Sequence, residues 1–204
     1  MAERLTGPGD ASQRVFEALA AVPRHLLVPE ALRGDAYRDV ALPIGDGQTI
    51  SAPGVVAAMT AALDLRGHET VLEIGTGSGY QAAILSRLAA RVVSIERVPR
   101  LAARARSALD RLGVTNVVVY LGDGSLGRPA EAPYDGILVT AGGPDVPRPL
   151  FEQLAPKGRL VGPFGPREAQ RLLRVRRTRD GREVRELIGH CRFVDLVGTY
   201  GWAR

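Results

Sequence analysis

Two stretches of this 204-residue chain carry residue types whose spacing suits ligand chemistry. The first is Glu73-Ile74-Gly75-Thr76-Gly77-Ser78-Gly79, where three glycines recur at every second position behind the apolar run Val71, Leu72 and Ile74. A short, partly β-branched run of this kind predicts a buried parallel strand, and the periodic segment Ala82, Ala83, Ile84, Leu85, Leu88 and Ala89 predicts a helix. Strand, glycine turn and helix in that order place a nucleotide-like ligand at the strand's carboxyl end, with glycine letting the backbone turn and approach it. A dinucleotide fingerprint spaces its glycines Gly-x-Gly-x-x-Gly so that a pyrophosphate rests on the helix N-terminus. The tighter spacing here disfavours a nicotinamide dehydrogenase; a tight turn with no ligand is the plain alternative.

Two more carboxylates follow at strand ends. Glu96 closes the predicted strand Val92–Ile95, about 20 positions after the glycine loop, where an acidic residue suits a ribose diol. Asp123 lies between Gly122 and Gly124 after Val117–Leu121, where a carboxylate can accept a hydrogen bond from an adenine amino group, although Asp-Gly is also an ordinary turn pair. The second informative stretch is Tyr37 to Pro53, with two prolines, two glycines and no clear period. It predicts a long loop ahead of the ligand-binding strand, either functional or a strap over the core. Ser51 reads as the N-cap of a helix whose apolar face is Val55, Val56, Met59, Ala62 and Leu63.

The elements that must position these residues follow from the remaining pattern. Met1 to Ser12 is expected to be poorly ordered, Arg14 to Val22 a helix stopped by Pro23, and Ala31 to Asp35 a further helical turn. Pro99 to Leu112 is a helix stopped at Gly113, and Asp135 to Thr140 a fourth strand opening into Ala141-Gly142-Gly143-Pro144. A short helix over Pro149–Leu154, stopped at Lys157-Gly158, precedes a strand from Arg159 to Val161. Arg179-Asp180-Gly181-Arg182 is a hairpin turn between Leu172–Thr178 and Glu183–Gly189, and Phe193 to Val197 reads as a last strand. The assembly is one α/β domain over residues 1–204, a Rossmann-like, doubly wound, mostly parallel sheet ending in an antiparallel hairpin.

Composition narrows the function classes. No run of about 18 apolar residues predicts a membrane span, and the N-terminus lacks the apolar core of a secretory signal. One cysteine, Cys191, excludes an internal disulfide and suits the cytoplasm. His25, His68 and His190 lie too far apart in sequence for a zinc cluster, so no metal is expected. The net charge is +5, and Lys157 is the sole lysine among 27 basic residues, a bias that suits a GC-rich genome. The arginines are dense only from Arg171 to Arg185, without interleaved stacking aromatics, so nucleic-acid binding is not read from them.

From about Val22 to Trp202 the sequence resembles the protein-L-isoaspartate O-methyltransferases, a family of class I methyltransferases. The most particular match is Ala36-Tyr37-Arg38-Asp39 with Leu42-Pro43-Ile44-Gly45-Asp46-Gly47-Gln48-Thr49-Ile50-Ser51-Ala52-Pro53. The glycine motif, Ser94-Ile95-Glu96-Arg97, Gly122-Asp123-Gly124, Ala132-Pro133-Tyr134-Asp135 and the closing Gly201-Trp202 also fit. The resemblance implies S-adenosyl-L-methionine as cofactor, contacted by Glu73, Gly75, Thr76, Gly77, Ser78, Gly79, Glu96, Arg97, Asp123 and Gly124. It places Gln48 and Ile50 beside the cofactor, with Ser51 and Thr49 as catalytic residues at its junction with substrate. It implies methylation of the free carboxylate of isoaspartyl residues in damaged proteins or peptides, by a monomer with no nucleic-acid or membrane partner. A relative dedicated to aspartate in one modified peptide, another small-molecule methyltransferase and a non-catalytic binding module are the alternatives. Three departures bear on substrate: a shortened match to the family's additional N-terminal helix before Arg14; Gly142-Gly143 in place of alanines, which would loosen the wall near the substrate; and His25-Leu26-Leu27-Val28-Pro29 without the usual aromatic, together with Asp195 in place of a common proline.

Overall fold

The computed structural model describes residues 10–203. The expected disorder of Met1 to Gly9 lies outside them, whereas Asp10 to Ser12 already belong to helix α1 (Asp10–Ala21). Two 3-10 turns, Arg24–Leu26 and Glu30–Asp35, lead to the strands β1 (Leu42–Gly45) and β2 (Gln48–Ile50) and to helix α2 (Pro53–Leu63). The alternation that follows is β3 (Thr70–Ile74), α3 (Tyr80–Leu85), β4 (Arg91–Glu96), α4 (Pro99–Arg111), β5 (Val117–Leu121), β6 (Tyr134–Val139), α5 (Arg148–Glu152) and β7 (Leu154–Phe164). β8 (Gln170–Arg177) and β9 (Glu183–Cys191) complete the ladder.

The seven-stranded sheet has the order β5-β4-β3-β6-β7-β8-β9. β3 pairs in parallel with β4 and β6, and the antiparallel pairs of this sheet are β7–β8 and β8–β9. Alternation along each strand feeds two cores: Val71, Val92 and Leu138 face the helices α1 to α4, while Leu72, Val93 and Ile137 face α5. The mostly parallel, doubly wound sheet and its terminal hairpin are therefore those expected.

Four local readings change. The loop at 37–53 contains a β1–β2 hairpin, turned by Asp46 (φ +53°) and Gly47 (φ +71°), the primed-turn geometry that Gly-Asp-Gly signals. α3 ends at Leu85 because the Asn116 side chain donates to the carbonyls of Ser86 and Ala89 (2.9 and 3.1 Å), stabilising a turn where helix was expected. β7 begins at Leu154, and Lys157 (φ +70°) and Gly158 form an irregularity within it rather than a helix stop. Phe193 to Val197 is not a ladder strand: its Val194 carbonyl and Leu196 N–H pair with Gly142 in the loop after β6 (2.7 and 2.8 Å).

Candidate active site

Outward from β3, the chain first adds strands on one side (β4, β5) and then on the other (β6, β7), so the carboxyl ends of β3 and β6 part at a topological switch point. An open cleft lies there, where ligands of open α/β sheets bind. Its floor is Ile74, Gly75 and Gly77, its far wall Glu96, Arg97 and Gly124, and its lid Gln48, Thr49 and the segment Val194–Val197. A second cleft adjoins it behind the hairpin, lined by Ile50, Ser51, Thr76, Ser78, Tyr80 and Gln81. Thr49, Gly75, Gly77 and Thr140 line both.

The glycine turn is fixed from two sides. Gly75 has φ +95°, and a Cβ there would come within 2.5 Å of Thr140 Oγ1, which donates to the Ile74 and Gly75 carbonyls (2.9 and 2.7 Å). Glu96, nearly buried, accepts from Gly77 N–H and Val98 N–H, one on each oxygen and both at 2.9 Å. Each oxygen keeps acceptor capacity, and Glu96 lines the cleft. Ile74, Ile95 and Leu196 add apolar walls to the cleft.

Three expected contacts, Glu73, Asp123 and Gly79, line neither cleft. Glu73 is fully buried under the turn, where Ser94 Oγ donates to it and Thr76 Oγ1 meets Ser94 Oγ at 2.6 Å. Burial pushes its carboxyl up to about 8, against the Ser94 hydrogen bond, so it acts as a neutral support. Asp123 latches the C-terminal segment. It accepts from Ser125 N–H and Oγ (2.9 and 2.7 Å) and from Thr199 N–H and Oγ1 (2.7 and 2.9 Å), which fills its acceptor sites. Partial burial raises the Asp123 pKa, but those hydrogen bonds outweigh it and hold the carboxyl below its ordinary range. Gly79 packs its backbone on Ala105 and Leu109 of α4 instead of lining a cleft.

Ser51 is not a helix cap. α2 has Ala52 at its N-cap and Pro53 at its first position, and the Asp39 carboxylate accepts from Gly54 N–H (2.7 Å), serving the role expected of the serine. Ser51 is half-buried, with its hydroxyl left for the second cleft. Gly142 does not loosen the wall: a Cβ there would meet Gln170 at 2.9 Å, so the glycine lets this loop pack more closely. Asp195 lines the main cleft and pairs with Arg167 (2.9 Å), whose guanidinium lies 4.5 Å from the Trp202 ring centre. Sequence reasoning missed Thr140, whose strand-end position after an apolar run was the available signal, and Arg24, described below.

The strand order and the Gly-x-Gly-x-Gly turn at the switch point are those of a class I methyltransferase fold. The profile of the family described as Protein-L-isoaspartate(D-aspartate) O-methyltransferase (PCMT) matches residues 2–201. The chain is 56% identical over 199 residues to a protein-L-isoaspartate O-methyltransferase of Syntrophobacter fumaroxidans, covering 98% of this chain and 92% of that one. It is 54% identical to a protein of the same name from Methanoculleus marisnigri, over 98% of this chain and 89% of the other. A solved protein-L-isoaspartate O-methyltransferase superposes with TM-score 0.84 at 31% identity, over 98% of this chain and 67% of that one. A Plasmodium falciparum structure in complex with S-adenosyl-L-homocysteine shares the fold, with TM-score 0.80 at 22% identity, over 96% and 94% of the two chains. The chain belongs to the protein-L-isoaspartate(D-aspartate) O-methyltransferase family.

Proposed function

We propose that the main cleft holds S-adenosylmethionine and that the second cleft presents the free carboxylate of an L-isoaspartyl residue to it across Thr49. When bound, the cofactor supplies an activated methyl on a sulfonium. Glu96 and the glycine turn hold the nucleoside, while Gln48, Thr49 and the segment Val194–Val197 close over it. The attacking carboxylate is already ionised at neutral pH, its unperturbed pKa being about 4, so the site needs no general base. The observation that carries the reading is the makeup of the second cleft: its lining holds no charged side chain, and Thr49, Ser51, Ser78 and Gln81 bring neutral donors to it. Such donors orient a carboxylate without quenching its nucleophilicity as a buried cation would. Holding the two reactants in line can supply roughly 7–11 kcal/mol of the barrier. The neighbouring backbone amide nitrogen then attacks the ester carbonyl and expels methanol, and the resulting succinimide hydrolyses partly to normal aspartate, which is repair.

The enzyme works as a cytoplasmic monomer on damaged proteins and peptides of varied sequence. No helix of the described residues is long and apolar enough to cross a membrane, and none of their His, Cys, Asp or Glu side chains group as a metal site. A panel of isoaspartyl peptides with different flanking residues tests the breadth. Comparable rates across the panel support general repair, and activity on one peptide alone overturns it in favour of a dedicated substrate.

A further inference from the structure

The side chain most out of place in this fold is Arg24. It is wholly buried, on a 3-10 turn between α1 and the hairpin. One guanidinium reaches three carbonyls from three separate segments. Nη1 donates to Ala36, at the end of the second 3-10 turn; Nη2 donates to Val40, ahead of β1 (3.1 Å), and to Ser51, just past β2 (3.0 Å). Its carbon lies 5.7 Å from the centre of the Tyr80 ring, and Tyr80 lines the same cleft as Ser51.

Burying a cation costs several kcal/mol unless its donors are used, and an apolar side chain generally fills such a space more favourably. Closing a loop does not require arginine. What arginine adds is a planar fork with fixed donor directions, here holding the carbonyl of Ser51 itself. That bond fixes the Ser51 peptide plane and, with the β2 pairing upstream and Pro53 downstream, the direction of the Cα–Cβ bond from which the hydroxyl extends. The hairpin has its own tie, Arg104 Nη1 donating to the Ile44 carbonyl (3.0 Å), so Arg24 serves the Ser51 end in particular.

We propose that Arg24 is the positioning residue of the methyl-acceptor site, acting through Ser51. The inference rests on the reading of Ser51 given above, and the experiment keeps the two separable. Arg24→Lys retains the charge but loses the fork. In labelled-methyl transfer to an isoaspartyl peptide its kcat should fall about 10- to 100-fold, as small displacements in a reacting geometry do, with S-adenosylmethionine Kd changed less than about 2-fold. In the Ser51→Ala background the same substitution should cost less than about 3-fold more, the non-additivity of residues acting as a unit. Amide exchange at residues 48–52 should quicken while that of β3 and β4 stays slow. A normal kcat in folded Arg24→Lys, or losses that multiply in the double variant, would overturn the proposal. So would failure of both Arg24→Lys and Arg24→Gln to fold, which would assign Arg24 to the fold alone. Should the unmutated enzyme be inactive on isoaspartyl peptides, the functional reading falls, and unchanged exchange at 48–52 then decides against Arg24.

Discussion

Replacing Ser51 with alanine separates catalysis from stability, because the structure removes the serine's other employment. A serine that caps a helix loses about 1 kcal/mol of stability on conversion to alanine, but here Ala52 is the N-cap and Asp39 reaches the first turn. Ser51 is half-buried, and Arg24 holds it by its backbone carbonyl, which alanine retains. The stability change should therefore stay within about 0.5 kcal/mol, the range for substitutions away from such features. A hydrogen bond to a charged group contributes roughly 1.5–3 kcal/mol, so losing the hydroxyl's bond to the substrate carboxylate should slow transfer about 10- to 100-fold. Thermal melting, calorimetric titration with S-adenosylmethionine and initial rates on an isoaspartyl peptide measure the three effects. The expected variant melts normally, binds cofactor normally and is slow. A variant that melts several degrees early and turns over at the normal rate would refute the assignment.

Glu96→Ala removes the diol acceptor and the anchor of Gly77 N–H, and should weaken S-adenosylmethionine by about 1.5–3 kcal/mol; unchanged affinity in the folded variant would misplace the nucleoside. Asp123→Ala should act through the C-terminal segment, lowering stability by about 2–3 kcal/mol through the donors it orphans and speeding proteolysis near Thr199. Normal melting with reduced cofactor affinity alone would instead restore a direct adenine contact. Glu73 holds its proton up to about pH 8 in the folded protein, whereas the unfolded chain ionises it near the ordinary 4.5. Its contribution is thus complete below the lower value and lost as pH rises through that window, by about 3–5 kcal/mol at most. Urea unfolding of Glu73→Gln at pH 5 and pH 8 should show that slope removed; an unchanged slope would mean the carboxyl is ionised where it sits.

The parallel sheet was legible because each strand, Thr70–Ile74 above all, is an apolar run bounded by turn residues, and glycine spacing alone separated this turn from a dinucleotide site. Glu96 could be placed as well, since a residue at a strand's end has a position that follows from the strand. Asp123 could not, because its partner Thr199 is 76 residues away and a non-local hydrogen bond leaves no local pattern. Ser51 was misread for a related reason: the cap of α2 comes from Asp39 across the loop, 15 residues earlier than the amide it serves. Arg24 has no local sequence signal beside Pro23, and only the folded loop shows three carbonyls converging on it. The missing strand at 193–197 and the short α3 belong with these, each decided by a distant partner, Gly142 in one case and Asn116 in the other.

The most direct measurement is labelled-methyl transfer from S-adenosylmethionine to matched peptides that differ only in an isoaspartyl or an aspartyl linkage at one position. The account predicts methyl incorporation into the isoaspartyl peptide, base-labile as an ester is, with a steady return of aspartyl peptide through the succinimide. Equal labelling of both peptides, or none of either in the presence of bound cofactor, would contradict it.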